Sequence, residues 1–325
     1  MKLLVPVNGY ETTVKQIEAG GEEIYLGADS TTFKSLSFNG RGRYNPKGEI
    51  NCPDFDELKD VVNYAHGKDV QVMFTANFPF LANNPDGSKG YLKEFYKYVT
   101  NAIDIGVDSI IVADIGAVQF LRKQGIKTHI AASTFFEIIN KEQIQFFEEL
   151  GVNRIVLSYQ LTLDEIKELT EGTKLEIEIF GHYGCSFYDD CNLKHNFGEG
   201  IADLLGIPCR NVYKVIEDGE FTHACQYVNA SLACSVCSMH TLNETGLYAT
   251  KLVGRDLDMK LNYEITSIYS KLLKALRNKK MSKEEYDALR DEILPSWWKR
   301  SYCQKQQCKY ISSSISKTYI GLDRI

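Results

Sequence analysis

The chain has 325 residues, with 37 Lys and Arg against 43 Asp and Glu, for a net charge of −6; 44% of it is hydrophobic and 25% charged. Such a chain buries a full core without disulfide or metal staples, and its acidic balance argues against a protein that coats nucleic acid, although a local basic site is compatible with it. No apolar run reaches the roughly 18–20 residues that span a bilayer. The opening Met1-Lys2-Leu3-Leu4-Val5-Pro6-Val7 is too short in its apolar part for a secretory leader and reads as a strand starting at once, which places the protein in the cytoplasm.

Short apolar runs alternate with amphipathic segments along most of the chain. Strands are expected at 3–7, 23–26, 70–76, 109–113, 128–131, 154–157, 175–180 and 249–253. Between them, Leu58, Val61, Val62 and Ala65 mark one apolar helix face, and Gly151 is a natural helix stop. Strands alternating with helices imply parallel βαβ units, and eight of them suit an α/β (β/α)8 barrel, TIM-like and open to distortion. A doubly wound open sheet is the alternative, but no GxGxxG follows the first strand. Residues 1–278 then form the barrel domain, with a Cys-rich insertion at 185–248 between strands seven and eight. Residues 279–325 form a C-terminal helical and tail extension.

The nine cysteines are unevenly spread: Cys52 stands alone, Cys185, Cys191, Cys209, Cys225, Cys234 and Cys237 crowd one stretch, and Cys303 and Cys308 sit near the end. In a reducing compartment such crowding points to metal or redox chemistry, against a background of buried thiols that merely pack. Soft thiolates suit an iron–sulfur cluster, but four of them also suit tetrahedral zinc. The CxxC at 234–237 is typical of zinc sites, yet no second CxxC accompanies it. Cys303 and Cys308 read as tail thiols without a role.

Barrel active sites lie at the C-terminal ends of the strands. Glu178 and Asp114 are expected there, as groups that orient substrate or move protons, with a helix cap as the other use of Asp114. Asn77 and Ser133 share that mouth. Arg41, Arg43 and Arg255 are suited to clamp a phosphate or carboxylate, and His182 and His195 flank the cysteines. Trp297 and Trp298 are expected to pack the tail on the barrel rather than stack on bases. Neither GxSxG nor HExxH occurs, so the residues themselves offer no support for peptidase chemistry.

Several blocks, in order, resemble the U32 peptidase-like proteins: Leu3-Leu4-Val5-Pro6 with Ala19 to Gly27, Gly106 to Asp114, Glu178-Ile179-Phe180 leading to Cys185, Cys209-Arg210-Asn211-Val212-Tyr213, Tyr227 to Cys234, and Lys251-Leu252-Val253-Gly254-Arg255. The resemblance covers residues 3 to about 275. It implies a TIM-like barrel and a [4Fe–4S] cluster on Cys185, Cys191, Cys209 and Cys234, with Cys237 as substitute; zinc is the alternative. It also implies oxygen-independent hydroxylation of RNA or a small aromatic precursor, with Arg41 and Arg255 holding an anion and Glu178 and Asp114 serving the reaction. The chain departs from the pattern in a shorter Glu-x-Phe to Cys spacing, in Leu205, and in Tyr159-Gln160 where the family has Arg-Glu. A collagenase-like peptidase and a non-catalytic partner of another redox enzyme are the alternatives. The expected partners are a small-molecule or RNA substrate and a protein partner or homologous subunit, with no membrane.

Overall fold

The computed structural model describes residues 1–29, 52–77, 92–183, 213–225, 233–255, 257–305 and 308–310. Eight parallel strands close into a barrel: β1 (Lys2–Pro6), β2 (Glu23–Leu26), β3 (Gln71–Ala76), β4 (Ser109–Val112), β5 (His129–Ala132), β6 (Arg154–Val156), β7 (Glu176–His182) and β10 (Ala249–Leu252). The last strand seats between β1 and β7, pairing Leu3 with Thr250 on one side and Thr250 with Ile179 on the other. Closure leaves no sheet edge exposed. The expected (β/α)8 architecture is therefore the observed one.

Alternation along the strands separates two environments. Leu3, Val5, Ile24, Phe74, Ile110, Ile155, Ile177 and Leu252 join the large core shared with the helices, whereas Leu4, Tyr25, Met73, Ile111 and Ala131 form a small separate cluster in the bore. The surrounding helices are α1 (Tyr10–Glu18), α2 (Phe55–His66), α3 (Leu92–Ile105), α4 (Ile115–Lys123), α5 (Lys141–Glu149), α6 (Leu163–Thr170), a short α7 (Met239–Glu244) and α8 (Met259–Asn278). Their starts follow ordinary capping: Asp54 accepts from Glu57 N at 2.8 Å, Asn140 from Gln143 N at 2.8 Å, and Thr162 and Glu165 form a capping box.

Inside the cysteine-rich insertion lies an antiparallel hairpin, β8 (Tyr213–Glu217) and β9 (Glu220–Cys225), which the sequence reading omits. Its two-residue turn, Asp218-Gly219, has φ of 51° and 86°, the positive pair that a tight hairpin turn of matching twist requires.

The segment read as an extension shares the barrel's core. After α9 (Lys283–Ile293) and a single turn α10 (Ser296–Trp298), Tyr286, Trp298, Tyr302 and Tyr310 all belong to the main cluster, and Trp298 is fully buried. Tyr286 donates its hydroxyl to the Val236 carbonyl at 2.6 Å. Packing of the tryptophan pair is thus the observed use of Trp298. No helix among the described residues is long and apolar enough to cross a membrane.

Candidate active site

The bore is charged, and its two ends differ. At the N-terminal end Arg154, 2% exposed, makes paired hydrogen bonds to the Glu23 carboxylate at 2.7 and 3.0 Å and reaches Glu176 at 2.8 Å and Glu178 at 3.2 Å. Burial opposes its charge, but the carboxylates more than restore it. Lys2 adds contacts to Glu23 at 3.3 Å and Gln71 at 2.7 Å. His129 lies 2.7 Å from Ser109 Oγ and 3.2 Å from Glu176. None of the buried polar atoms that lack a hydrogen bond among the described residues belongs to this layer.

One layer higher the bonding is incomplete. Glu178 is 1% exposed; one oxygen faces Arg154, and Oε1 lies 3.4 Å from Lys251 Nζ, an ion-pair distance without a formed hydrogen bond. Lys251 hangs from β10 with its ammonium 4.3 Å from the Tyr25 ring centre, and Arg255 stands 5.7 Å from the same ring. Burial pulls the Lys251 ammonium below its usual range, with Glu178 opposing that pull. Tyr25 is fixed by donating its hydroxyl to the Leu252 carbonyl at 3.1 Å. Above them Thr75 Oγ1, Asn77 Oδ1 and Thr134 Oγ1 are buried without partners among the described residues. Together these groups give a buried carboxylate, a buried amine and open hydrogen-bonding positions at the end of the barrel where such folds place catalysis.

The C-terminal segment reaches this mouth. Phe180 N donates to Tyr310 Oη at 3.2 Å, and Ser238 Oγ donates to the Lys309 and Tyr310 carbonyls at 3.0 and 2.9 Å. Lys309, 2% exposed, donates to the Tyr183 carbonyl and holds its ammonium 5.5 Å from the Phe180 ring and 5.7 Å from the Tyr159 ring.

Several expected residues are placed differently. Glu178 does not end its strand: β7 runs on to His182, so the carboxylate sits inside the bore rather than at its rim. Asp114 caps α4, accepting from Ala117 N at 2.7 Å; burial raises its carboxyl, and the backbone N–H groups of Ala117 and Gly116 resist. Ser133 accepts from Phe135 N at 3.4 Å at the start of a short helical turn. Arg255, read as an anion clamp, is buried, 6% exposed. Arg41, Arg43, Cys185, Cys191, Cys209, His195 and Leu205 lie outside the described residues.

Cys234 is packed against the end of β7: Tyr183 N donates to Ala233 O at 2.7 Å and Ser235 N to Gly181 O at 3.1 Å. Cys185 follows Tyr183 by two residues in the sequence. Burial pushes the Cys234 thiol up to about 12. Cys237 is pulled down to about 6, first by a hydrogen bond with Cys308 and then, against burial, by Arg290 and Lys283. Cys308, read as a tail thiol, therefore lies beside the insertion, and Lys309 N donates to Cys234 O at 2.7 Å. Among the described residues no group of three or more His, Cys, Asp or Glu is placed to hold a metal ion. His182 is fully buried among Tyr183, Tyr269, Trp298 and Tyr302, and burial, then Lys309, keeps its imidazole neutral.

Arg154, Lys251, Tyr25 and Lys309 were not singled out from the sequence. The signal for the first two is the alternation Glu176-Ile177-Glu178-Ile179, which puts charge on the inward face of a strand and so demands buried cations opposite.

A (β/α)8 barrel with an ion-paired bore, an unsaturated C-terminal mouth and a thiol-rich segment beside it defines the class. The chain belongs to peptidase family U32, whose model matches residues 8–310. It is 28% identical over 239 residues to an uncharacterized protease of Methanocaldococcus jannaschii, covering 70% of this chain and 53% of that one. It is 25% identical over 295 residues to tRNA hydroxylation protein P1 of Bacillus subtilis, covering 84% and 67%. The chain thus spans about half to two thirds of the length of these relatives. The solved structure of the U32 peptidase Mk0906 shares the fold, with a TM-score of 0.50, 18% identity, and coverage of 78% of this chain and 93% of that one.

Proposed function

We propose that this protein is a cytoplasmic enzyme of oxygen-independent RNA hydroxylation, working at the C-terminal mouth of the barrel. The observation that carries this reading is the buried Glu178–Lys251 ion pair, flanked by Arg255 and by Thr75 and Asn77 oxygens that lack a hydrogen bond among the described residues. Membership in family U32 and likeness to a tRNA hydroxylation protein support it.

Glu178 and Lys251 are one carboxylate and one amine in a low-dielectric bore, able to exchange a proton with a bound group. Arg154 keeps Glu178 oriented from below. Arg255 and Lys309 supply positive charge for an anionic donor or a phosphate, a role the sequence also gives to Arg41. The ligand set assigned to the [4Fe–4S] cluster is Cys185, Cys191, Cys209 and Cys234, with Cys237 as substitute and zinc as the alternative metal. The fit of this set rests on the thiol chemistry and on Cys234 lying against the end of β7, from which Cys185 follows. A cluster bound by these thiolates would supply one-electron redox chemistry.

The peptidase alternative meets one relevant geometry. Ser109, His129 and Glu176 form a Ser–His–Glu chain of hydrogen bonds. It lies at the N-terminal end of the barrel, Ser109 is 3% exposed, and Arg154 also engages Glu176, so it reads as part of the stabilising layer.

The test compares RNA nucleosides and quinones by mass spectrometry in cells with and without the gene. Loss of a hydroxylated nucleoside, restored by the wild-type chain but not by Glu178→Gln, is expected. Unchanged nucleosides would overturn the reading.

A further inference from the structure

Two lysines enter the bore, and their surroundings differ. At the N-terminal end Lys2 is hydrogen-bonded to Glu23 and Gln71; burial opposes its charge, and Tyr248 and Glu23 more than restore it. On β10, Ala249 pairs with Glu178 and Lys251 with Phe180, so Lys251 stands two residues nearer the mouth than the carboxylate. Its Nζ has Glu178 Oε1 at 3.4 Å and the Tyr25 ring at 4.3 Å, and Arg255 stands 5.7 Å from that same ring.

Burial is the largest force against the Lys251 charge; Glu178 opposes it, and Arg255 and Arg154 add to it. A desolvated amine beside other cations gives up its proton to become a nucleophile, and the Glu178 carboxylate is within reach to take that proton. The Lys251 side chain is 11% exposed, so the amine is not sealed off. Lys309, the other buried lysine at this end, is instead committed to the Tyr183 carbonyl.

We propose that Lys251 condenses with a small aldehyde or ketone to form an iminium, with Glu178 as its acid–base partner. Glu178 takes one proton from the ammonium, and the amine adds to the carbonyl carbon, forming the C–N bond. A second proton passes from nitrogen to the former carbonyl oxygen. Glu178 then returns its proton to that hydroxyl, the C–O bond breaks, and water leaves. No electrons are exchanged, and the iminium keeps its positive charge opposite the Glu178 carboxylate. Arg255 beside the same ring favours a carbonyl compound that carries an anionic group. The inference rests on the same buried pair as the RNA-hydroxylation reading and adds a carbonyl co-substrate to it.

The test incubates the full chain with pyruvate, which carries a carboxylate, or with acetone, which does not. Cyanoborohydride traps the iminium as a secondary amine, and peptide mass spectrometry locates it. Lys251 should be labelled about tenfold or more above Lys174, whose side chain is 90% exposed, and this ratio should be higher with pyruvate than with acetone. Glu178→Gln, still folded, should slow the labelling about tenfold or more. Labelling of Lys251 no greater than that of Lys174 would overturn the proposal. An equal ratio for the two probes would overturn the anionic class, and an unchanged rate in Glu178→Gln would overturn its proton transfer. Labelling needs neither RNA nor a cluster: its failure leaves the hydroxylation reading standing, and labelling in a chain that hydroxylates nothing refutes only that reading.

Discussion

The two ends of the bore carry similar residues in opposite states. At the N-terminal end Lys2, Glu23, Ser109, His129, Arg154 and Glu176 satisfy one another; one layer up, Thr75 and Asn77 keep polar atoms without partners among the described residues, and Glu178 Oε1 has an ion pair without a hydrogen bond. A buried polar atom without a partner costs about 1–3 kcal/mol, so a fold keeps a group of them only where something else is served. The saturated end holds the barrel shut, and the unsaturated end is where a substrate can complete the bonding. Glu178 joins them, with one oxygen bonded to Arg154 below and the other ion-paired with Lys251 above.

The largest expected effect breaks the saturated end. Arg154→Met leaves Glu23 and Glu178 buried without their main counter-charge and should destabilise the fold by about 3–5 kcal/mol in denaturant unfolding. Trp298→Ala asks whether the C-terminal segment belongs to the same cooperative unit as the barrel. Removing this fully buried ring should cost about 3–5 kcal/mol and lower a single transition, whereas an independent appendage would lose only its own signal.

The barrel was legible because its outward strand positions are apolar at every second residue, a pattern that local sequence displays without knowledge of partners. The hairpin was equally legible in principle, since Asp218-Gly219 is a strong turn signal, but the crowd of cysteines around it drew the reading toward ligands. Glu178 was set too close to a strand end because the strand runs two residues past Phe180, to His182. In fact Gly181 continues the strand where an added Cβ would sit 2.4 Å from Thr250 Oγ1, so only glycine fits. The mouth was least legible: the Phe180–Tyr310 bond joins residues 130 apart, and no periodicity announces such a contact.

Smaller effects sharpen the comparison. Burial raises the Glu176 carboxyl, but the His129 hydrogen bond and the Arg154 charge outweigh it, so its pKa lies below the ordinary value. A depressed carboxylate contributes stability that is present above its unfolded pKa of about 4.3 and is lost as pH falls through the folded pKa. Acid unfolding should therefore show a limb below about pH 4 that Glu176→Gln removes. Smallest of all, Ser109→Ala should cost about 1 kcal/mol, the net value of one hydrogen bond, and leave any activity at the mouth unchanged.

The most direct test sets Glu178→Gln beside Ser109→Ala in cells lacking the native gene, with nucleoside mass spectrometry and purified-protein melting as paired readouts. Glu178→Gln keeps one acceptor, for Arg154 or Lys251 but not both, and removes their shared counter-charge; it should lower the melting temperature while leaving a folded protein, and the hydroxylated nucleoside should fall by about a hundredfold or more, the usual weight of a proton-transfer group. Ser109→Ala should restore the nucleoside in full. Restoration by Glu178→Gln, or its failure with a stably folded Ser109→Ala, would contradict the assignment of chemistry to the C-terminal end.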